Sequence, residues 1–135
     1  MTMNILLADN HTKVRSAMRL LLEQEPDVRV VGEAEEVETL LVQVRGNCPD
    51  LVLLDWEMPR MGPVVLASMR ALCPHTSVVA LSSRPESRGE ALAGGADAFV
   101  SKCDSPVDLL HVVHGFRRVQ NEPGTAMRLA WGLVG

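Results

Sequence analysis

Five residues of this chain have side chains that could do chemistry together if a fold converged them: Asp9, Asn10, Asp55, Ser82 and Lys102. Two carboxylates and an amide oxygen, completed by backbone and water oxygens, suit a hard octahedral cation such as Mg²⁺. An ammonium and a hydroxyl opposite them suit the oxygens of a phosphoryl group. Asp55 is itself a candidate nucleophile, because carboxylates form aspartyl-phosphates.

The element that must position Asp55 lies in Pro49-Asp50-Leu51-Val52-Leu53-Leu54-Asp55-Trp56-Glu57-Met58-Pro59. Four branched aliphatics bounded by turn residues read as a strand buried on both faces, with Asp55 at its carboxyl end. Similar runs precede the other polar residues. Ile5–Ala8 ends at Asp9-Asn10-His11, Ser77–Leu81 at Ser82-Ser83, and Ala98–Ser101 at Lys102. Val28–Val31 is a further strand, closed by Gly32.

Between the strands the period changes to that of a helix. Val14, Ala17, Met18 and Leu21 fall at i, i+3, i+4 and i+7, and Val37, Leu40, Leu41 and Val44 repeat the spacing until Gly46-Asn47. Pro63 is placed to start a third helix, with Leu66, Met69 and Cys73 inward. Ser87–Gly94 reads as a weak fourth helix. Ser105-Pro106 opens a fifth, with Leu109, Val112, Val113 and Phe116 inward. This alternation predicts an α/β fold: a five-stranded parallel sheet, order 2-1-3-4-5, with helices on both faces. In such a sheet the strand ends share one rim, where ligands collect.

Composition narrows the function classes. At 135 residues the chain suits one domain, and with two Trp, two Phe and no Tyr its core must be aliphatic. A net charge of −4 without a basic run gives no face for nucleic acid. The apolar N-terminal run stops at Asp9 and lacks a basic flank, so neither signal peptide nor membrane span is expected, and the expected location is cytoplasmic. Cys48, Cys73 and Cys103 are an odd count without C-x-x-C spacing and read as reduced thiols. His111 and His114, three apart with no third ligand in view, read as an exposed helical face. Residues 122–135 follow the break at Pro123-Gly124 and read as a tail or linker stub, with Trp131 a candidate contact residue. The domain proper is expected over residues 1–121.

Taken jointly, Leu6-Leu7-Ala8-Asp9-Asn10-His11, the Asp50–Pro59 segment, Val78-Val79-Ala80-Leu81-Ser82 and Gly95-Ala96-Asp97-Ala98-Phe99-Val100-Ser101-Lys102 resemble the receiver domain of two-component response regulators. The likeness covers residues 4–120. His11 and the Lys102 to Pro106 segment look most like receivers that precede LuxR/NarL-type DNA-binding domains. The resemblance implies a flavodoxin-like receiver fold and a role for each residue. Asp55 would accept a phosphoryl group from a sensor histidine kinase. Asp9, Asn10, Asp55 and the Glu57 backbone carbonyl would hold Mg²⁺. Ser82 and Lys102 would bind the phosphoryl oxygens, and small Ser83 would leave the approach open. Phe99 stands where the family's aromatic ring changes rotamer. The implied partners are the kinase and, through the face of the fourth helix, fifth strand and fifth helix, a second copy or an output partner. No enzyme activity is implied beyond self-catalysed phosphoryl uptake and loss.

The departures are specific. Asn10 stands where most receivers have a second acidic residue; it keeps a carbonyl ligand, loses a charge, and predicts weaker Mg²⁺ binding. As a bland alternative, Asn10 is a good N-cap for the first helix. Asp9 and Lys102 also have a structural reading, as a salt bridge across the rim. Met58-Pro59-Arg60-Met61-Gly62-Pro63 lacks the family's Asp and Gly, so that loop should differ in shape. Lys102-Cys103 replaces the usual Lys-Pro, which leaves the family's cis bond in doubt, and Cys103 reads as a small filler there. The rival readings are an atypical receiver acting by contact alone, a dehalogenase-like phosphatase and a flavodoxin-like cofactor carrier. The phosphatase needs Asp-x-Asp, which Asp55-Trp56-Glu57 does not supply. The cofactor carrier needs a phosphate-cradling first loop, where Asp9 puts the wrong charge.

Overall fold

A run of residues such as Leu51–Leu54 can be covered on both sides only if helices flank the sheet, and that is the arrangement observed. The computed structural model describes residues 2–121. Its elements are β1 (Met3–Ala8), α1 (Thr12–Glu23), β2 (Val28–Ala34), α2 (Val37–Asn47), β3 (Leu51–Asp55), α3 (Pro63–Leu72), β4 (Ser77–Ser82), α4 (Arg88–Ala93), β5 (Ala98–Ser101) and α5 (Pro106–Asn121). All pairings are parallel, in the order β2-β1-β3-β4-β5. The fold is therefore the flavodoxin-like receiver fold expected.

The period of two in each strand sorts its side chains into two cores. Leu6, Val52, Leu54, Val78, Ala80 and Phe99 face α2, α3 and α4. Ile5, Leu7, Leu53, Val79, Leu81 and Val100 face α1 and α5. Every residue of β3 is buried, Asp55 included.

The structure corrects several expectations. β2 does not close at Gly32 but continues to Ala34, with a register shift between Ile5 and Leu6 of the neighbouring β1. A Cβ at Gly32 would lie 2.6 Å from Gln43 Oε1 of α2, a side-chain end free to swing aside, and the strand runs through this glycine instead of ending there. In α1 the buried residues are Met18 and Leu22, whereas Val14 and Ala17 are exposed. Both spacings fit one helix, and only the packing chooses the stripe. The fourth helix is a 3₁₀ turn, Pro85–Ser87, followed by the six residues of α4. Among the described residues there is no cis peptide bond, so Lys102-Cys103 is trans.

The thiol reading also fails. Cys48 and Cys73 form a disulfide, their Cα atoms 5.5 Å apart, and Cys103 alone is free. Each is the C-cap of a helix, α2 and α3 respectively, and both helices end at the rim away from Asp55. The ends of the consecutive helices α2 and α3 meet there, and sequence spacing carries no trace of it. No helix among the described residues is long and apolar enough to cross a membrane. The tail and Trp131 lie outside the described residues.

Candidate functional site

The site is assembled by register. Ala8 of β1 pairs with Leu54 of β3, so the next residues, Asp9 and Asp55, emerge side by side. The Asp9 N–H donates to the Ala34 carbonyl at 2.9 Å, and Arg15 Nη1 donates to the Asp9 carbonyl at 2.7 Å. On the other side, the Lys102 N–H donates to the Ser82 carbonyl at 2.8 Å, extending the β4–β5 ladder by one residue. The strand ends thus bring Asp9, Asp55, Ser82 and Lys102 onto one rim.

Asp9 and Asp55 are both fully buried. Lys102 Nζ lies 2.8 Å from Asp9 Oδ2 and 3.3 Å from Asp55 Oδ1. The shorter contact is an ion pair without hydrogen-bond alignment, so Asp9 Oδ2 lacks a directed donor. Asp55 Oδ1 accepts the Glu57 N–H at 2.9 Å, while Asp55 Oδ2 has no hydrogen-bond partner. Burial pushes the Asp55 carboxyl above its ordinary value. The Glu57 N–H pulls it down, the Asp9 charge pushes it further up, and Lys102 pulls it down again.

One ammonium thus faces two buried carboxylates. An orphaned carboxylate oxygen beside a second carboxylate fits a divalent cation, which supplies the missing charge and the missing partner at once. Asp9, His11 and Asp55 each offer an atom to such an ion, and these atoms lie within 4.8 Å of one another.

The other expected residues fall as follows. Asn10 is exposed at the bend after Asp9, and it is not the N-cap; His11 is, with no side-chain cap bond. The capping reading of Asn10 is therefore wrong, because the chain stays extended for one residue more before α1 begins. Ser82 is fully buried and its Oγ accepts the Arg84 N–H at 2.9 Å, which leaves its own proton to donate. The Glu57 carboxylate turns away from Asp55. It accepts the Ser83 N–H at 3.1 Å and the Ser83 hydroxyl at 2.9 Å, and pairs with Arg84. Those bonds, the Ser83 N–H first, hold its carboxyl below the ordinary value. Only the backbone of Glu57 is left to serve the rim.

Phe99 is buried in the core shared with Trp56. The loop after β3 has its own shape. Met61 N–H donates to the Met58 carbonyl around Pro59 and Arg60, with Arg60 at φ 67°. That is the positive φ a type II turn demands after proline, and the Arg60 guanidinium pairs with Glu38 of α2. His114 does not form a metal pair with His111: its Nε2 lies 2.7 Å from Glu25 Oε1, while His111 is exposed.

Sequence reasoning gave His11 no chemical role. Its N–H donates to Asp9 Oδ1 at 2.8 Å, and its Nδ1 lies 3.2 Å from that oxygen and 4.0 Å from Asp55 Oδ2. The available signal was its place two residues after an aspartate at a strand end, where an Asx-type turn folds the chain back.

Residues 5–114 match the family described as the response regulator receiver domain. The chain belongs to this family. The nitrate/nitrite response regulator NarL of Escherichia coli K12 is 37% identical over 113 residues, covering 82% of this chain and 52% of that protein. Among solved structures, the receiver domain of the response regulator NarL from Mycobacterium tuberculosis superposes with a TM-score of 0.76 at 29% identity, covering 84% of this chain and 94% of that one. RcsB from Salmonella enterica superposes at 0.80 with 25% identity, over 87% and 61%. The chain is thus a two-component receiver domain of the NarL group. It spans about half the length of the curated relatives it matches.

Proposed function

We propose that this receiver takes a phosphoryl group from the phosphohistidine of a sensor kinase onto Asp55. The observation that carries the reading is a fully buried Asp55 at the end of β3, with Lys102 Nζ 3.3 Å from one carboxylate oxygen and the other oxygen unpartnered. In the transfer the donor's N–P bond breaks and an Asp55 O–P bond forms, and the donor imidazole recovers a proton. The Lys102 ammonium pairs with the transferred oxygens as charge accumulates. Ser82 donates its hydroxyl proton to one of them, and burial of the rim excludes bulk water.

Asp9, Asn10, Asp55 and the Glu57 carbonyl would hold Mg²⁺, which neutralises the anionic donor and aligns it. Asn10 contributes no charge to that set and weakens it. The chemistry is self-catalysed uptake and loss, with no other substrate. The RcsB structure was solved bound to promoter DNA with a phosphomimetic. By analogy, the α4-β5-α5 face of this receiver engages a second copy or an output partner, and the net charge of −4 disfavours its own contact with DNA. Residues 1–121 constitute the receiver, residues 122–135 a tail or linker, and the place of action is the cytoplasm, where kinase phosphohistidines are presented.

Incubation with a small phosphodonor and Mg²⁺, read by intact-protein mass, tests this. One added phosphoryl group is expected on the wild type and none on Asp55→Asn; no gain, or the same gain in the variant, overturns the reading. A second reading, contact without phosphorylation, draws on Asn10. It predicts that Trp56 fluorescence stays flat through a Mg²⁺ titration.

A further inference from the structure

His11 places an imidazole nitrogen beside carboxylate oxygens at the rim. Two atoms bound to one ion at about 2.1 Å stand roughly 3.0 Å apart when adjacent and roughly 4.2 Å apart when opposite. Nδ1 of His11 lies 3.2 Å from Asp9 Oδ1 and 4.0 Å from Asp55 Oδ2, both within the span that two ligands of one ion can have. The backbone is fixed for the purpose, since the His11 N–H is held by Asp9 and its carbonyl receives the first α1 bond from Arg15. The ring itself is 62% exposed and has no core contact to give up. Opposite it, Asp55 Oδ2 is buried and without a partner.

We propose that His11 is a nitrogen ligand of the metal site, so that this receiver accepts a nitrogen-favouring first-row transition ion such as Co²⁺, Ni²⁺ or Zn²⁺ through an Asp9–His11–Asp55 donor set. The proposal rests on reading the rim as a cation site; it does not require that Asp55 be phosphorylated. Its chemical logic is the exchange of donors along the turn. Asn10 removes a carboxylate from the metal's side, and Lys102 already neutralises part of the remaining charge. An imidazole restores affinity for ions that favour nitrogen, and does little for Mg²⁺, which keeps oxygen ligands and water.

The test uses the 135-residue chain and His11→Ala. Co²⁺ binding is followed by visible absorption, Mn²⁺ by paramagnetic resonance with detection of nitrogen coupling, and Mg²⁺ by Trp56 fluorescence. Nitrogen coupling to Mn²⁺ is expected in the wild type and lost in His11→Ala, with Co²⁺ affinity falling about tenfold or more. Mg²⁺ affinity is expected to change less than about twofold, since that ion prefers oxygen donors. Absent coupling in the wild type, coupling that persists in the variant, or an equal loss for Mg²⁺ overturns the assignment. Phosphodonor labelling separates the two readings. Labelling of Asp55 with unchanged Co²⁺ binding in His11→Ala keeps the receiver reading and refutes the ligand. His11-dependent coupling without labelling keeps the ligand and refutes phosphoryl acceptance.

Discussion

Asp55 carries a charge that the protein only half accommodates. One oxygen has the Glu57 N–H and Lys102; the other is buried against nothing that donates, near a second carboxylate. Leaving a buried polar group unsatisfied costs roughly 1–3 kcal/mol. Asp55→Asn removes the repulsion with Asp9 and lets an amide N–H point towards it. Urea unfolding of the metal-free protein should therefore show the variant more stable than the wild type by about 1 kcal/mol or more. A loss of stability would mean that Lys102 already offsets the whole charge. The phosphoryl acceptance proposed for Asp55 and the stability of the fold would thus pull on this one residue in opposite directions.

At the scale of elements, two features hold the rim in place from a distance. Glu33 near the end of β2 binds Arg15 at 2.7 Å and Arg19 at 2.5 Å, and Arg15 in turn supports the Asp9 carbonyl. Burial would push the Glu33 carboxyl up, but the hydrogen bonds from Arg15 and Arg19 outweigh it and hold it below its ordinary value. A depressed folded pKa stabilises fully above the unfolded value and is lost as pH falls through the folded one. Glu33→Gln should consequently be less stable at neutral pH, by about 1 kcal/mol or less given its partial exposure. The gap should close as the medium is acidified through and below the ordinary glutamate range, checked by unfolding curves at neutral and acid pH.

The second feature is the Cys48–Cys73 bond between the ends of α2 and α3. Cys48 sits at φ 37°, a left-handed position that glycine normally fills, so the cross-link occupies a site of local strain. Closing a loop of 25 residues contributes about 3 kcal/mol by restricting the unfolded chain. Thiol titration should find one free sulfhydryl in the unreduced, unfolded protein and three after reduction. Cys73→Ser should cost about 2–4 kcal/mol.

For the molecule as a whole, a cation held on the rim as proposed would couple the ends of β1 and β3 to the stability of the sheet between them. A ligand that binds only the folded state at a hundred times its Kd adds about 2.7 kcal/mol. Thermal unfolding of the wild type should shift upward with saturating Mg²⁺ or Mn²⁺ and return with a chelator. Asp55→Asn should lose most of that shift. An equal shift in the variant would place the ion elsewhere.

The sequence by itself determined that there are five strands, their order and the four strand-end residues, because apolar runs and turn residues are local signals. β-α alternation with right-handed crossovers then leaves few topologies. Leu51–Leu54 followed by Asp55 could hardly be read otherwise. What only the tertiary structure decided is each case where two segments meet. Gly32 reads locally as a stop, yet β2 runs through it to Ala34. Leu22, and not Val14, faces the core. Cys48 and Cys73 look like spare thiols until α2 and α3 bring their ends together. His11 looks like one more polar residue in a turn until the Asp9 carboxylate folds it towards Asp55. Periodicity records how a segment lies against an averaged interior; it does not record which atom waits on the other side.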